Sequence, residues 1–210
     1  TFDSVIIGGG IAGASLGYRL APRQQVLILE REAQPGYHST GRSAAMFMEA
    51  YGTEQIQALT RASRAFYESP PAGFCEHPLL EPRGCLYVAS LEQQDLLAST
   101  YAQSLANGTE VTLLDHQAAL ALVPSLRADT LAGAIHEPGA MDLDVHALHQ
   151  GFLRGFRQAG GQVQCNAEVV EGYFNDGLWH LSLADGSGVQ ARQLINAAGA
   201  WADEVAGVCG

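Results

Sequence analysis

Phe2-Asp3-Ser4-Val5-Ile6-Ile7-Gly8-Gly9-Gly10-Ile11-Ala12-Gly13 opens the chain with an apolar run, a glycine cluster and a return to apolar residues. Consecutive Val and Ile within Phe2–Ile7 predict a parallel strand buried on both faces, and the pattern through Leu20 predicts a helix. The order is therefore strand, glycine turn, helix. In such a unit Gly8 permits the tight turn, Gly10 lets the backbone approach a diphosphate, and Gly13 lets helix pack closely on strand. Ile11 and Ala12 begin the helix, whose first N–H groups have no intrahelical acceptor and can meet an anion. A second strand, Gln25–Leu29, ends at Glu30, where a carboxylate can accept both ribose hydroxyls of an adenosine and repels a 2′-phosphate. A glycine turn also occurs in βαβ units that bind nothing; the acidic end of the next strand favours dinucleotide binding over that reading.

The 210 residues hold 22 Asp and Glu against 11 basic residues, a formal net charge of −11. Nucleic acid is not expected as a partner, because its phosphates require a basic face. Every basic residue is arginine, which excludes a Schiff-base lysine, a pyridoxal anchor and a P-loop lysine. The length suffices for one domain or two small ones. Cys75, Cys85, Cys165 and Cys209 show no metal-ligand spacing and read as reduced thiols. Asp142, Asp144, His146 and His149 lie close in sequence, but Asp144 reads as a helix cap and no second ligand cluster exists, so no metal is expected. No Ser/His/Asp set with a nucleophile elbow is present. The apolar run Val5–Leu16 is broken by glycines and a serine, so neither a signal peptide nor a transmembrane segment is expected. The expectation is a cytoplasmic protein, with docking to the inner membrane face left open.

Two further segments distinguish among dinucleotides. Tyr37-His38-Ser39-Thr40-Gly41-Arg42-Ser43-Ala44-Ala45 is a polar loop running into small residues that could open a helix. Hydroxyls of Ser39, Thr40 and Ser43 and the guanidinium of Arg42 suit a second phosphate, while Ala44 and Ala45 leave room for a flat ring against backbone. A capped helix start with a surface arginine is the plainer alternative. Near the end, the strand Gln190–Ile195 runs into Asn196-Ala197-Ala198-Gly199-Ala200-Trp201 and a helix, Ala202–Val208, a second turn on the same kind of sheet edge. A nicotinamide-binding domain would alternate strands and helices regularly; here the middle of the chain changes character.

Through Glu30–Ala45, Pro70–Leu80, Ala147–Gly151 and Asn196–Trp201 the sequence resembles the FAD-dependent D-amino-acid oxidase and dehydrogenase family, and within it the bacterial D-arginine dehydrogenases. The resemblance covers essentially the whole chain. It implies FAD as cofactor, held by Gly8, Gly10, Ile11, Ala12, Gly13, Glu30, Arg31, Ser39, Thr40, Arg42, Ser43, Ala44, Ala45, Met46, Val169, Ala198, Gly199 and Trp201. It implies a substrate lined by Tyr51 and Met46; the plainer alternative for Tyr51, and more so for Met48, is a helix residue packed in the core. The implied reaction passes hydride from the α-carbon of a D-amino acid to flavin N5, giving an imino acid that hydrolyses. Oxygen or a quinone would take the electrons. Met46 and Cys85 replace a histidine and a glutamate of the D-arginine enzymes, which favours a less charged amino acid. Glycine or sarcosine oxidation, 2-hydroxy-acid oxidation and FAD binding without turnover are the alternatives. No arginine is an obvious substrate-carboxylate clamp, and no catalytic residue is assigned. The family places the clamp later in its chains, so these residues are expected to be the N-terminal part of a longer protein.

The expected architecture is α/β: a Rossmann-type, glutathione-reductase-like FAD-binding domain with an inserted α+β substrate-domain segment. Residues 1–82 form the first part of the FAD-binding domain, 83–141 the insert, and 142–210 the second part. Thr53–Glu68 reads as an amphipathic helix ended by Pro70 and Pro71. Gly84–Ser90, Val111–Leu114 and Leu131–His136 read as strands and Glu92–Ala106 as a helix, forming an antiparallel sheet with helices on one side. From Asp144 a helix runs to Gly160-Gly161, followed by strands Gln162–Cys165, Glu168–Phe174 and Leu178–Ala184 with hairpin turns at Asn175–Gly177 and Asp185-Gly186.

Overall fold

The computed structural model describes residues 1–210. In chain order the elements are β1 Phe2–Ile7, α1 Ile11–Leu20, β2 Val26–Leu29, β3 Met46–Phe47, α2 Glu54–Glu68, β4 Leu80–Pro82, β5 Cys85–Ser90, α3 Gln94–Ala106, β6 Thr112–Asp115, α4 His116–Leu122, β7 Leu131–Glu137, β8 Met141–Leu143, α5 Val145–Gln158, β9 Gln162–Gln164, β10 Val169–Asn175, β11 Leu178–Leu183, β12 Gly188–Asn196 and α6 Ala202–Cys209. They form two compact units. The first comprises Thr1–Ala44, Ala72–His77 and Val145–Gly210; the second comprises Ala45–Pro71 and Pro78–Asp144. The division differs from the expected 1–82, 83–141 and 142–210: residues 45–71 pack with the insert. Only six residues of the intervening stretch return to the first unit, anchored by Phe74, whose ring meets Tyr18 and Phe152 edge to face.

The first unit is built on a six-stranded sheet in the order β10-β11-β12-β1-β2-β9. Strands β12, β1, β2 and β9 are parallel, and the β10–β11 hairpin extends them antiparallel. All four residues of β2 and Ser4–Ile7 of β1 are buried, as strands sandwiched on both faces must be. Alternation divides their side chains. Ile6 and Ile28 turn toward α1, while Val5, Ile7, Leu27 and Leu29 join Val169, Leu181, Leu183 and Cys209 on the opposite face. Full burial of each such aliphatic side chain is worth about 1.5–3 kcal/mol. The second unit holds two three-stranded antiparallel sheets, β5-β7-β6 and β3-β8-β4. Ala119 of α4 packs on Leu131 and Ala134 of β7. The Asp115 carboxylate caps α4 by accepting from Ala118 N–H at 2.8 Å.

Small residues set how closely the parts of the first unit approach. A Cβ on Gly13 would fall 2.0 Å from the Gly8 carbonyl oxygen, so only glycine lets α1 start directly against the turn. Helix α5 lies on α1, where a Cβ on Gly155 would enter the Tyr18 ring. From α5, the buried His149 donates Nε2–H to the Gly9 carbonyl at 2.8 Å. Burial holds the His149 imidazole below its ordinary value near 6.5, so it sits there neutral. The alanines 44 and 45, expected to open a helix, do not. A short 3-10 turn spans Ser39–Arg42, Ala45 is left-handed at φ 49°, and β3 follows. Register with β8, which pairs with both β3 and β4, overrides the local preference of small residues for helix.

Gly13→Ala is expected to lower unfolding free energy by roughly 2–4 kcal/mol. Gly207→Ala in α6, where a Cβ meets nothing within 4 Å, should be neutral or slightly stabilising; equilibrium denaturation of both variants checks the contrast. The folded state disfavours protonation of His149, so the unfolded chain binds more protons as pH falls below about 6.5 and stability drops toward the lower folded value. His149→Gln should flatten that acid limb in melts taken between pH 7 and 5.

Candidate functional site

The parallel strands β1, β2 and β12 end at one edge of the sheet, and the loops leaving them enclose a cavity of about 320 Å³. Such an edge, where connections leave a central strand toward opposite sides, is where open α/β sheets bind ligands. Gly8, Gly10, Glu30, Arg31, Ser39, Thr40, Val169, Ala198, Gly199 and Trp201 of the expected set all line it. Gly8 has φ +108°, and a Cβ there would lie 2.4 Å from the Ala197 carbonyl oxygen. The turn after β1 is thereby pressed on the turn after β12. Helix α1 has Gly10 as its N-cap, no side-chain cap and no acidic residue in its first turn, which leaves its positive end for an anion. The first amide is taken internally, because Ile11 N–H donates to Thr40 Oγ1 at 3.0 Å.

Glu30 is 8% exposed. Its Oε2 accepts from Gly9 N–H at 2.9 Å and its Oε1 from Glu32 N–H at 3.0 Å, so the carboxylate is oriented by backbone. One wall of the cavity is a stack. The Arg31 guanidinium lies 4.0 Å over the Trp201 ring, and the His38 ring is tilted against Trp201 at 4.4 Å. His38 Nε2 meets Glu32 Oε1 at 2.8 Å, and that bond holds the Glu32 carboxyl below the usual range. Tyr37 and His38 were not anticipated as lining residues, nor were Glu204, Val205 and Val208 of α6. His149, set aside at first as a poor metal ligand, is the strut beneath Gly9.

The other expected residues do not converge on this cavity. Ala12 and Gly13 lie in the first turn of α1 behind Gly10. Arg42 and Ser43 line a second cavity of about 630 Å³, polar and walled by His146, His149 and Arg157 of α5; Arg42 also lies 5.1 Å over the Tyr37 ring. In the second unit, Met46 and Tyr51 line a groove of about 280 Å³ with Phe47, Met48 and residues of α2. Ala44 and Ala45 precede β3, after extended Ser43 and with Ala45 left-handed.

Tyr51 is 60% exposed although its loop is tightly tied. Buried Glu137, at the end of β7, accepts from Glu49 N–H at 2.6 Å and from the Tyr87 hydroxyl at 2.8 Å. Burial, reinforced by Glu137, pushes the Tyr87 hydroxyl far above its ordinary value, so it remains a donor. Cys85 is raised by burial and by Glu137, which keeps it a thiol. Arg83 pairs with Asp142 at 2.6 Å. Glu137 was missed because nothing local in Glu137-Pro138-Gly139 reveals an acceptor for a loop far away in sequence.

The family described as FAD dependent oxidoreductases (DAO) matches residues 3–210. The mitochondrial dimethylglycine dehydrogenase of Rattus norvegicus is 27% identical over 99% of this chain and 24% of its own length. An L-2-hydroxyglutarate dehydrogenase of Escherichia coli is 25% identical over 100% of this chain and 50% of its own. The crystal structure of glycine oxidase from Geobacillus kaustophilus superposes with TM-score 0.85 at 25% identity, covering 99% of this chain and 58% of that one. The chain thus spans between a quarter and somewhat over half of these relatives. With a strand, a glycine turn and an acidic strand end around one cavity, and a family match over nearly every residue, the chain belongs to the FAD dependent oxidoreductase family.

Proposed function

We propose that the protein containing this chain uses FAD to oxidise the C–N bond of a D-amino acid, giving an imino acid that water converts to a 2-oxo acid and ammonia. The observation that carries the reading is the cavity at the strand ends, whose chemistry suits a flavin dinucleotide at each point. Gly8 and Gly10 present bare backbone and an uncapped helix start to a diphosphate. Glu30 offers a buried carboxylate to ribose hydroxyls, and Val169 presents backbone to the adenine. Arg31 and Trp201 give a flat wall. Arg42 and Ser43, which line a second, polar cavity of the first unit, offer a guanidinium and a hydroxyl to a phosphate. Bound FAD supplies the acceptor for the two electrons leaving the α-carbon; the protein's part is to bind, orient and exclude water.

The groove bearing Met46 and Tyr51 takes the substrate. Its lining residues, among them Met46, Phe47, Met48, Tyr51 and Leu143, carry no charged side chain. A lining without a carboxylate gives a cationic side chain no partner, which supports an uncharged D-amino acid over arginine. A second reading is a glycine or N-methylated glycine substrate, or a 2-hydroxy acid. It is favoured by the relatives named as glycine oxidase, dimethylglycine dehydrogenase and L-2-hydroxyglutarate dehydrogenase. Oxygen or a quinone re-oxidises the cofactor. No helix here is long and apolar enough to cross a membrane.

Glu30→Ala should weaken FAD binding by about 10- to 100-fold, the cost of losing hydrogen bonds to a charged acceptor, read by titrating apoprotein with FAD and following flavin fluorescence. Anaerobic bleaching of the flavin in the full-length protein should be fast with neutral D-amino acids and slow with D-arginine. Bleaching by 2-hydroxy acids alone would reject amine oxidation.

A further inference from the structure

The loop presenting Tyr51, itself 60% exposed, is held from both sides. Glu137 takes its amides: Glu49 N–H at 2.6 Å and Ala50 N–H at 3.3 Å. Gln57, 4% exposed on α2, takes its carbonyls, donating Nε2–H to Ala50 at 3.0 Å and to Gly52 at 3.1 Å. Gln57 is in turn fixed by Asn107 Nδ2–H, which donates to its Oε1 at 2.9 Å. The Tyr87 hydroxyl donates to Glu137 Oε2, so the carboxylate cannot rotate freely. Gly52 is left-handed at φ +86°, and a Cβ there would press on Ile56. The side chain of Glu49 is held by Arg64 at 2.8 Å. Two buried polar side chains from β7 and α2 thus hold four backbone groups of a four-residue loop and leave one tyrosine projecting.

We propose that Glu137 and Gln57 are positioning residues that fix the Tyr51 loop for substrate, acting through Tyr51 and not by touching substrate themselves. The proposal rests on the reading of Tyr51 as a substrate-lining residue. Burying a carboxylate is costly unless its acceptor positions are filled; here the partners that fill them include the amides of this loop, so the buried charge makes one loop geometry much the most favourable. A fixed tyrosine spares the substrate the ordering of that loop on binding, which strengthens binding in ground state and transition state alike.

The test uses the FAD-loaded full-length protein and the amine substrate that bleaches it fastest. Glu137→Gln should raise KM about tenfold with kcat changed less than about threefold, unchanged FAD content and faster hydrogen exchange at the Glu49 and Ala50 amides. Tyr51→Ala should raise KM as well, and the double variant should be no worse than Tyr51→Ala alone. Additive KM effects, or an unchanged KM in Glu137→Gln where Tyr51→Ala raises it, would overturn the clamp while leaving the substrate reading intact. An unchanged KM in Tyr51→Ala overturns that reading and the clamp with it. Should Glu137→Gln fail to fold, Gln57→Ala replaces it and must show the same non-additivity.

Discussion

The glycine turn after β1 lies where two strand ends and two helices meet, and close backbone contact there is the constraint on which the first unit depends. Gly8 touches Ala197 after β12, Gly13 brings α1 onto the Gly8 carbonyl, Gly9 donates to Glu30 after β2, and His149 of α5 holds the Gly9 carbonyl. None of these contacts tolerates a longer separation, and most run through backbone, where no side chain can rearrange to absorb an error. The same crowding that fixes the turn leaves the start of α1 without a protein anion, so tight packing and ligand capacity have one origin.

Much of this was legible in the sequence. The run Phe2–Ile7, the glycines and the acid at Glu30 encode strand, turn and binding edge within thirty residues, because every contact involved is either local or between adjacent strands. The hairpins at Asp176-Gly177 and Asp185-Gly186 were legible for a similar reason: turn chemistry is written in the turn itself. Strands β3, β4 and β8 were not. Each is two or three residues long and exists through pairing with the others, so no periodicity announces them.

The site divides along the same line. Residues adjacent to the glycine turn were identified from spacing, whereas the His38–Trp201 contact and the Glu137 network join segments far apart in the chain, and only their three-dimensional pairing gives those side chains a role. His149 is instructive in the other direction. Its neighbours Asp142, Asp144 and His146 suggest metal chemistry by composition, yet burial makes it a neutral donor to a carbonyl, a use that depends on helix α5 lying against α1.

Strand β1 has β12, far along the sequence, as its parallel neighbour, with Phe2 opposite Ala191 and Ile7 opposite Asn196. On a ribosome one edge of β1 must therefore wait until residues 188–196 have emerged, while the second unit, continuous but for a short excursion, can close earlier. Loop closure over that separation slows assembly, and an unpaired apolar edge invites association with other nascent chains. Nascent forms of this protein should for that reason depend on chaperones that shield extended hydrophobic segments until residues 188–196 are available.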